Sequence, residues 1–371
     1  MTVYALSIHA DYRCRHSGEC CTADWDVPVE VPIFRSLSDA LAVGRLRTAA
    51  GAGDGAFITG PDLPSDAGAM LDRTAGGDCV FFERGSHLCV VHRDLGEQAL
   101  PATCRHFPRL ALRDARGTSI TLSHFCPTAA SMLFREDVPL AIVPGPAAFP
   151  DAEYEGLVVA PDEWPPLLNP RMLSDHEGYA AWERHMVARC AEAAGGPESI
   201  VASLARDAWI VRKWRPGSAS IAQAIGMLPR DVLDAPPHGT LDASLAHFAE
   251  AMTAVPEDLL PPADEHGLPE AYRAHVVPEW ESFAGPLARY VAAKAFATWT
   301  AYQGRGFATI VRGLDCALAL VRVEASRQCR DTGRRLDGAQ MLEAFRAADF
   351  ILNHLAAGDE LARAWSRAEN G

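Results

Sequence analysis

The stretch CVFFERGSHLCVV, Cys79 to Val91, carries two cysteines flanking a turn, and its reading decides how the N-terminal third of the chain folds. The apolar runs VFF and LCVV border ERGSH, the pattern of a hairpin with Gly85 at a turn position suited to positive φ. Pairing of Phe81 with Cys89 is expected to put Cys79 and Cys89 on one face, because strand side chains alternate. A slip of one residue would part them.

Working outward, the same third holds C-x5-C-C (Cys14, Cys20, Cys21), then Cys104 and Cys126, so that seven of the ten cysteines lie between Cys14 and Cys126. The opening MTVYALSIHADYRC lacks the basic start, apolar run and small-residue cleavage site of a secretory leader, which implies a cytoplasmic protein. A chain of 371 residues needs no disulfide staples, and the cytosol keeps thiols reduced. Metal ligation or redox chemistry is therefore the better reading of these cysteines.

Thiolates are soft anionic ligands, and four of them satisfy either tetrahedral zinc or the irons of a cubane cluster. Seven suffice for one complete site with three left over, or for two sites completed by other ligands. Adjacent Cys20 and Cys21 are awkward for one metal, since neighbouring side chains diverge in extended backbone. One of the pair is then a ligand, and the other serves a second site, a substrate or a redox step, or packs as a small buried hydrophobe. His16, His87, His92, His106 and His124 accompany the cysteines, so a mixed Cys/His site is chemically open; solvated or hydrogen-bonded histidines are the plainer reading. Cys190, Cys316 and Cys329 lie in helical segments and read as packing residues.

Two details favour iron–sulfur over zinc. Cys126-Pro127 has the Cys-Pro ending of bacterial ferredoxin motifs. Arg93, Arg105, His106, Arg109, Arg113 and Arg116 surround Cys104 in an otherwise acidic chain, and cations there would lower thiol pKa values and offset a negative cluster. The paired CxxC of zinc ribbons is missing.

Elsewhere in this third, WDVPVEVPIF, Trp25 to Phe34, reads as an edge strand with Val27, Val29 and Val31 on one face. Gly51 to Gly77 reads as a long loop. Residues 136–170 are Pro-rich and acidic, a connection. Beyond it helices dominate: Ile310, Leu314, Ala317, Leu318 and Val321 form one buried helical face, and Asp337 with Gln340 is a capping box for a helix carrying Met341, Phe345, Ala348, Leu352 and Leu355. Trp25, Trp182, Trp209 and Trp214 read as core or interface anchors. The expected fold is mainly α: a small irregular α+β cysteine-rich module over residues 1–135, the connection over 136–170, and an all-helical domain over 171–371.

A formal net charge of −14 disfavours wrapping on a phosphate backbone, so nucleic acid is not an expected partner. No stretch approaches the roughly 20 apolar residues of a membrane helix, so no membrane partner is expected either.

The stretches YRCRHSGECCTADWDVPVE, CVFFERGSHLCVVHRDLGEQALPATCRHFPR and LSHFCPTAASMLF resemble the YkgJ-type cysteine-cluster family of zinc- or iron-chelating proteins, and the related flagellin lysine N-methylase (FliB) family, over residues 12 to 135. The resemblance implies Cys14, Cys20, Cys21, Cys79, Cys89, Cys104 and Cys126 as metal ligands. It also implies S-adenosylmethionine as a cofactor and flagellin as a protein substrate if the methylase side holds. The methylases carry a further cysteine where this chain has RHSGE. GAGDG, Gly51 to Gly55, is the one glycine-rich candidate for a cofactor loop, but LAVGRLRTAA before it is not the buried strand such a loop needs. Nor is there a CxxxCxxC motif of radical enzymes, or a spacing that assembles a Ser/His/Asp triad. Three readings follow: an iron–sulfur (alternatively zinc or iron) protein, a protein lysine methylase, and a structural zinc module whose helical part binds a partner.

Overall fold

GTSITL, Gly117 to Leu122, is rich in β-branched residues, which favour a pleated and packed setting, and every one of its residues is buried. It becomes the middle of a five-stranded sheet. The computed structural model that shows this describes residues 2–23, 25–49, 55–61, 63–149, 158–160, 164–192, 195–235, 239–260 and 264–367.

In chain order, strand β1 (Val3–Leu6) leads through an irregular loop to a single helical turn, α1 (Glu19–Thr22). Then come β2 (Pro28–Glu30), α2 (Val31–Ala42), β3 (Phe57–Ile58) and β4 (Ala67–Leu71). A short hairpin, β5 (Phe82–Glu83) and β6 (Leu88–Cys89), runs into α3 (Val90–Leu95), followed by α4 (Ala102–His106). The hairpin β7 (Arg109–Asp114) and β8 (Gly117–Leu122) precedes α5 (Pro127–Met132), β9 (Ile142–Pro144) and β10 (Val158–Val159). The main sheet has the order β10-β7-β8-β1-β9, with β1 parallel to β8 and antiparallel to β9; β2, β4 and β3 form a second sheet. Helices make up roughly half of the chain, so the fold is mainly α.

Two sequence expectations are corrected here. The run from Trp25 to Phe34 is strand only over Pro28–Glu30, because Pro32 sits at the start of α2, where its missing N–H costs nothing. Val27 and Val29 do share a buried face. The segment from Gly51 to Gly77 carries β3 and β4, which pair with each other, and β4 pairs with β2 on its other side.

Of the helices that follow, three anchor the helical core. Helix α6 spans His176–Glu192; α7 (Ala284–Ala295) packs across it; and the 26-residue Phe307–Thr332 helix is the hub against which the others lie. Ile310, Leu314, Ala317, Leu318 and Val321 are all buried on that hub, and Trp182 stacks on Phe307 with ring centroids 5.0 Å apart. The capping box at Asp337 forms as expected, the Asp337 side chain accepting from Ala339 and Gln340 backbone N–H groups; it opens the helix Gly338–Phe350, whose end widens into a π-turn over Ile351–Leu355. Trp209 is 57% exposed with Lys213 Nζ over its ring, so it anchors no core. Cys190, Cys316 and Cys329 are buried among the helices.

The sheet is fastened to the helices by buried polar groups. Arg116, at the β7–β8 turn, pairs with Asp114 (2.6 Å) and with Glu183 of α6 (2.9 Å), while the Thr121 hydroxyl donates to the carbonyl of Ala293 in α7. Leu6, Ile8, Leu112 and Leu133 lie in the same hydrophobic core as the helices; a second core, from Val27 to Leu100, belongs to the cysteine-rich part. A third, smaller core gathers Val3, Tyr12, Ile120, Leu122, Cys126 and Phe149. Among the described residues no helix is long and apolar enough to cross a membrane.

Candidate metal centre

Cys14, Cys20, Cys21, Cys79, Cys89, Cys104 and Cys126 all line one cavity of about 360 Å³. The local sequence explains how each arrives. Gly18 takes φ +83°, a left-handed turn that only glycine adopts cheaply, and it ends the RHSGE loop at the start of α1. A Cβ there would come within 2.4 Å of the Phe82 ring, so the loop lies directly on the β5–β6 hairpin. Because α1 is helical rather than extended, Cys20 and Cys21 turn to the same cavity with their sulfurs 3.9 Å apart, which removes the difficulty raised by their adjacency.

The backbone N–H of Cys79 donates to the Cys21 carbonyl at 2.7 Å, tying the two segments together. In the hairpin Phe82, not Phe81, pairs with Cys89, and His87 rather than Gly85 takes positive φ. Despite that one-residue slip, both cysteines reach the cavity. Cys79 stands before a turn, with the Phe82 N–H donating to its carbonyl, so strand alternation does not reach it. Cys104 sits mid-way along α4, whose first N–H, that of Ala102, is taken by the Glu30 carboxylate at 3.0 Å. Cys126 caps α5, and Pro127 occupies that helix's first turn, so the Cys-Pro pair serves helix initiation here.

Burial raises the thiol pKa of Cys14, Cys89 and Cys104, and lifts Cys79 to about 11; neighbouring thiols add to each rise. Cys21 is raised first by its hydrogen bond to Cys20 and then by burial, while Cys20 is lowered by the same bond. One thiolate is therefore accommodated and the rest oppose one another. A bound cation inverts this situation, since it is the largest local charge and deprotonates its thiols outright.

Tetrahedral zinc at about 2.3 Å from each sulfur would hold sulfurs about 3.8 Å apart. Cys20 and Cys21 have that separation, yet among the described residues no three His, Cys, Asp or Glu side chains close on a single point.

His16, His87 and His92 also line the cavity, whereas His106 does not. Of the basic cluster, Arg105 and Arg109 line it; Arg93 pairs with Glu83 and Asp94 on the surface, and Arg116 with Asp114 and Glu183. The Arg109 guanidinium lies over the Tyr12 and Phe149 rings, and the Tyr12 hydroxyl is 3.7 Å from the Cys126 sulfur.

Sequence reasoning missed the groups that support this site from the helices. Arg346 donates to Glu19 in α1 and to the Phe125 carbonyl beside Cys126, clamping two cysteine-bearing segments at once. His124 is fully buried: its backbone N–H and Nδ1 both meet Asp349, whose other oxygen takes Lys294 Nζ (2.6 Å) and the Tyr290 hydroxyl (2.8 Å). Burial would raise the Asp349 carboxyl, but Lys294 and His124 outweigh it and hold it below the usual range. His124 Nε2 is 3.3 Å from His9 Nε2. With Nδ1–H donated to Asp349, His124 Nε2 accepts from His9, so His9 Nδ1 keeps a bare lone pair, and that atom has no hydrogen-bond partner.

A larger cavity, about 1070 Å³, opens beside the thiols and shares Phe107 and Arg109 with them. Trp25, Phe107, Phe350 and His354 line it, and Ser123 Oγ is 2.8 Å from His354 Nε2. Of the candidate cofactor loop, Gly51–Asp54 lie outside the described residues. Comparison with protein-family models, with curated proteins and with solved structures found no match.

Proposed function

We propose that this chain is an iron–sulfur protein whose thiol-lined cavity holds the cluster, with zinc or an iron ion as the alternative occupant. The observation that supports it is the meeting of all seven clustered cysteines, spread from residue 14 to 126, on one cavity. Thiols that oppose one another's ionisation have a use when a cation sits among them. Seven thiols on one cavity, with no closed tetrahedron among the described residues, suit a polynuclear centre with bridging sulfides. In this reading residues 1–135 hold the metal in a cytoplasmic protein, and residues 171–371 form a helical support. Anaerobic purification followed by iron and sulfide analysis and visible absorption tests it: a colourless chain without stoichiometric metal ends the proposal, and stoichiometric zinc without iron replaces it with the structural-zinc reading.

Methylation of a protein lysine is the second reading, favoured by the large cavity beside the cluster site. Its aromatic wall suits an alkyl-ammonium side chain, and burial lowers His354 to about 4, so that wall carries no imidazolium charge at neutral pH to repel it. Transfer of label from S-adenosylmethionine to flagellin checks this; calorimetry showing no binding of that cofactor removes it.

A further inference from the structure

We infer that a cavity among the C-terminal helices, apart from the thiols, is a binding site for a small zwitterion, an α-amino acid with an apolar side chain. The cavity, about 490 Å³, lies between the helices Gly196–Val211 and Leu241–Met252 and the Phe307–Thr332 hub. It shares no lining residue with the thiol cavity or with the larger one beside it, so what fills it is independent of any metal.

One end is built from a buried ion pair. Arg322 of the hub and Glu198, in the first turn of Gly196–Val211, have side chains only 5% and 10% exposed and meet at 2.5 Å. Glu198 Oε1 also accepts from Trp280 Nε1 at 2.8 Å, while the Arg322 guanidinium donates to Ser244 Oγ at 2.7 Å and lies over the Trp280 ring. Gly239 closes over that guanidinium; a Cβ there would come within 2.7 Å of it. Both side chains are thus fixed in place. Even so, Glu198 Oε2 and Arg322 Nε have no hydrogen-bond partner among the described residues. Buried polar groups are ordinarily satisfied, so this pair calls for a ligand that brings one donor and one acceptor.

The opposite end differs. Arg312 and Asp315 line it, but they are 33% and 45% exposed, within reach of water, and Arg312 also meets Glu250 at 3.0 Å. Between the ends the wall is apolar, formed by Val201, Ala202, Val311, Leu318 and Ala319. Charge then selects the ligand. A lone anion would meet the Glu198 carboxylate, and a lone cation would meet the Arg322 guanidinium. A zwitterion answers both, its ammonium on Glu198 Oε2 and its carboxylate on Arg322 Nε, and the apolar wall takes its side chain.

Calorimetry on the full chain with L-leucine, 4-methylpentanoate and 3-methylbutylamine as probes tests this. Leucine is expected to bind at least about tenfold more tightly than either analogue, since each analogue lacks one charged hydrogen bond. Glu198→Gln keeps the acceptor for Arg322 and Trp280 but puts an N–H donor where Oε2 stood. It should weaken leucine about tenfold and strengthen 4-methylpentanoate, a reversal that a merely structural ion pair would not give. Ala243→Phe, at an exposed position on the cavity wall, should block leucine while the circular dichroism spectrum stays native. Should Glu198→Gln fail to fold, the analogue series on wild type and Ala243→Phe still decide. No binding of leucine, either analogue binding as tightly as leucine, or a native Ala243→Phe chain that binds it unchanged overturns the assignment. Equal weakening of all three probes by Glu198→Gln overturns it as well.

Discussion

Replacing Gly18 by alanine tests how the RHSGE loop presents its cysteines. At φ +83° an L-residue incurs a left-handed backbone penalty of about 1–2 kcal/mol. Its Cβ would stand 2.4 Å from Phe82 Cζ and 2.6 Å from Cε2, and Phe82 is only 5% exposed, so the ring cannot swing into solvent. Overpacking of this kind adds about 1–3 kcal/mol. The sum, about 2–5 kcal/mol, is at its lower end a factor of about 30 in an equilibrium constant. Gly85→Ala is the matched control: it lies in the neighbouring hairpin turn with nothing within 4 Å of an added Cβ, and should change stability by no more than about 0.5 kcal/mol. Urea denaturation of the metal-free chain gives the stability, and iron retained during dialysis against a chelator gives the effect on the site. Gly18→Ala behaving like Gly85→Ala in both measurements would refute the argument that this turn sets Cys20 and Cys21.

Asp349→Asn leaves Lys294 buried beside a neutral amide and should cost about 3–5 kcal/mol, read as a shifted urea midpoint; a loss below 1 kcal/mol contradicts the buried pair. Burial depresses His354 from 6.5 to about 4, so between those values the unfolded chain binds a proton that the folded chain does not. Stability should therefore fall by up to about 3 kcal/mol as pH drops from 6.5 to 4, and His354→Gln should flatten that part of the urea-midpoint profile. Arg346→Met removes the clamp on Glu19 and Phe125 and should lower iron retention more than it lowers the melting temperature; the reverse order of effects counts against a positioning role. Cys190→Ala and Cys316→Ala, outside the cavity lining, should leave iron content unchanged, as metal analysis will show.

The helices were readable because their signals are local. Asp337 and Gln340 cap a helix three residues from each other, and the buried face from Ile310 to Val321 repeats every three or four positions. Short segments were harder, since one residue decides them: Pro32 converts a valine-alternating strand into a helix start, and a turn between Cys79 and Phe82 voids the parity argument that links Cys79 to Cys89. Clustered cysteines pointed to one another through their number, without any account of how they meet. Arg346, Lys294 and Asp349 gave no signal, because Arg346 reaches Glu19 across 327 positions and His124 reaches Asp349 across 225. No periodicity connects such pairs; only the packed helices do.

The placement of Val3–Leu6 inside the main sheet has a bearing on biogenesis. Val3 pairs in parallel with Thr118, 115 positions later, and Tyr4 pairs with Pro144 on its other side. A ribosome adding residues one by one completes these partners long after the first thiols have emerged, and parallel pairing over so long a span is slow. The early cysteines therefore wait in an unfinished chain until synthesis has passed the last strand of that sheet.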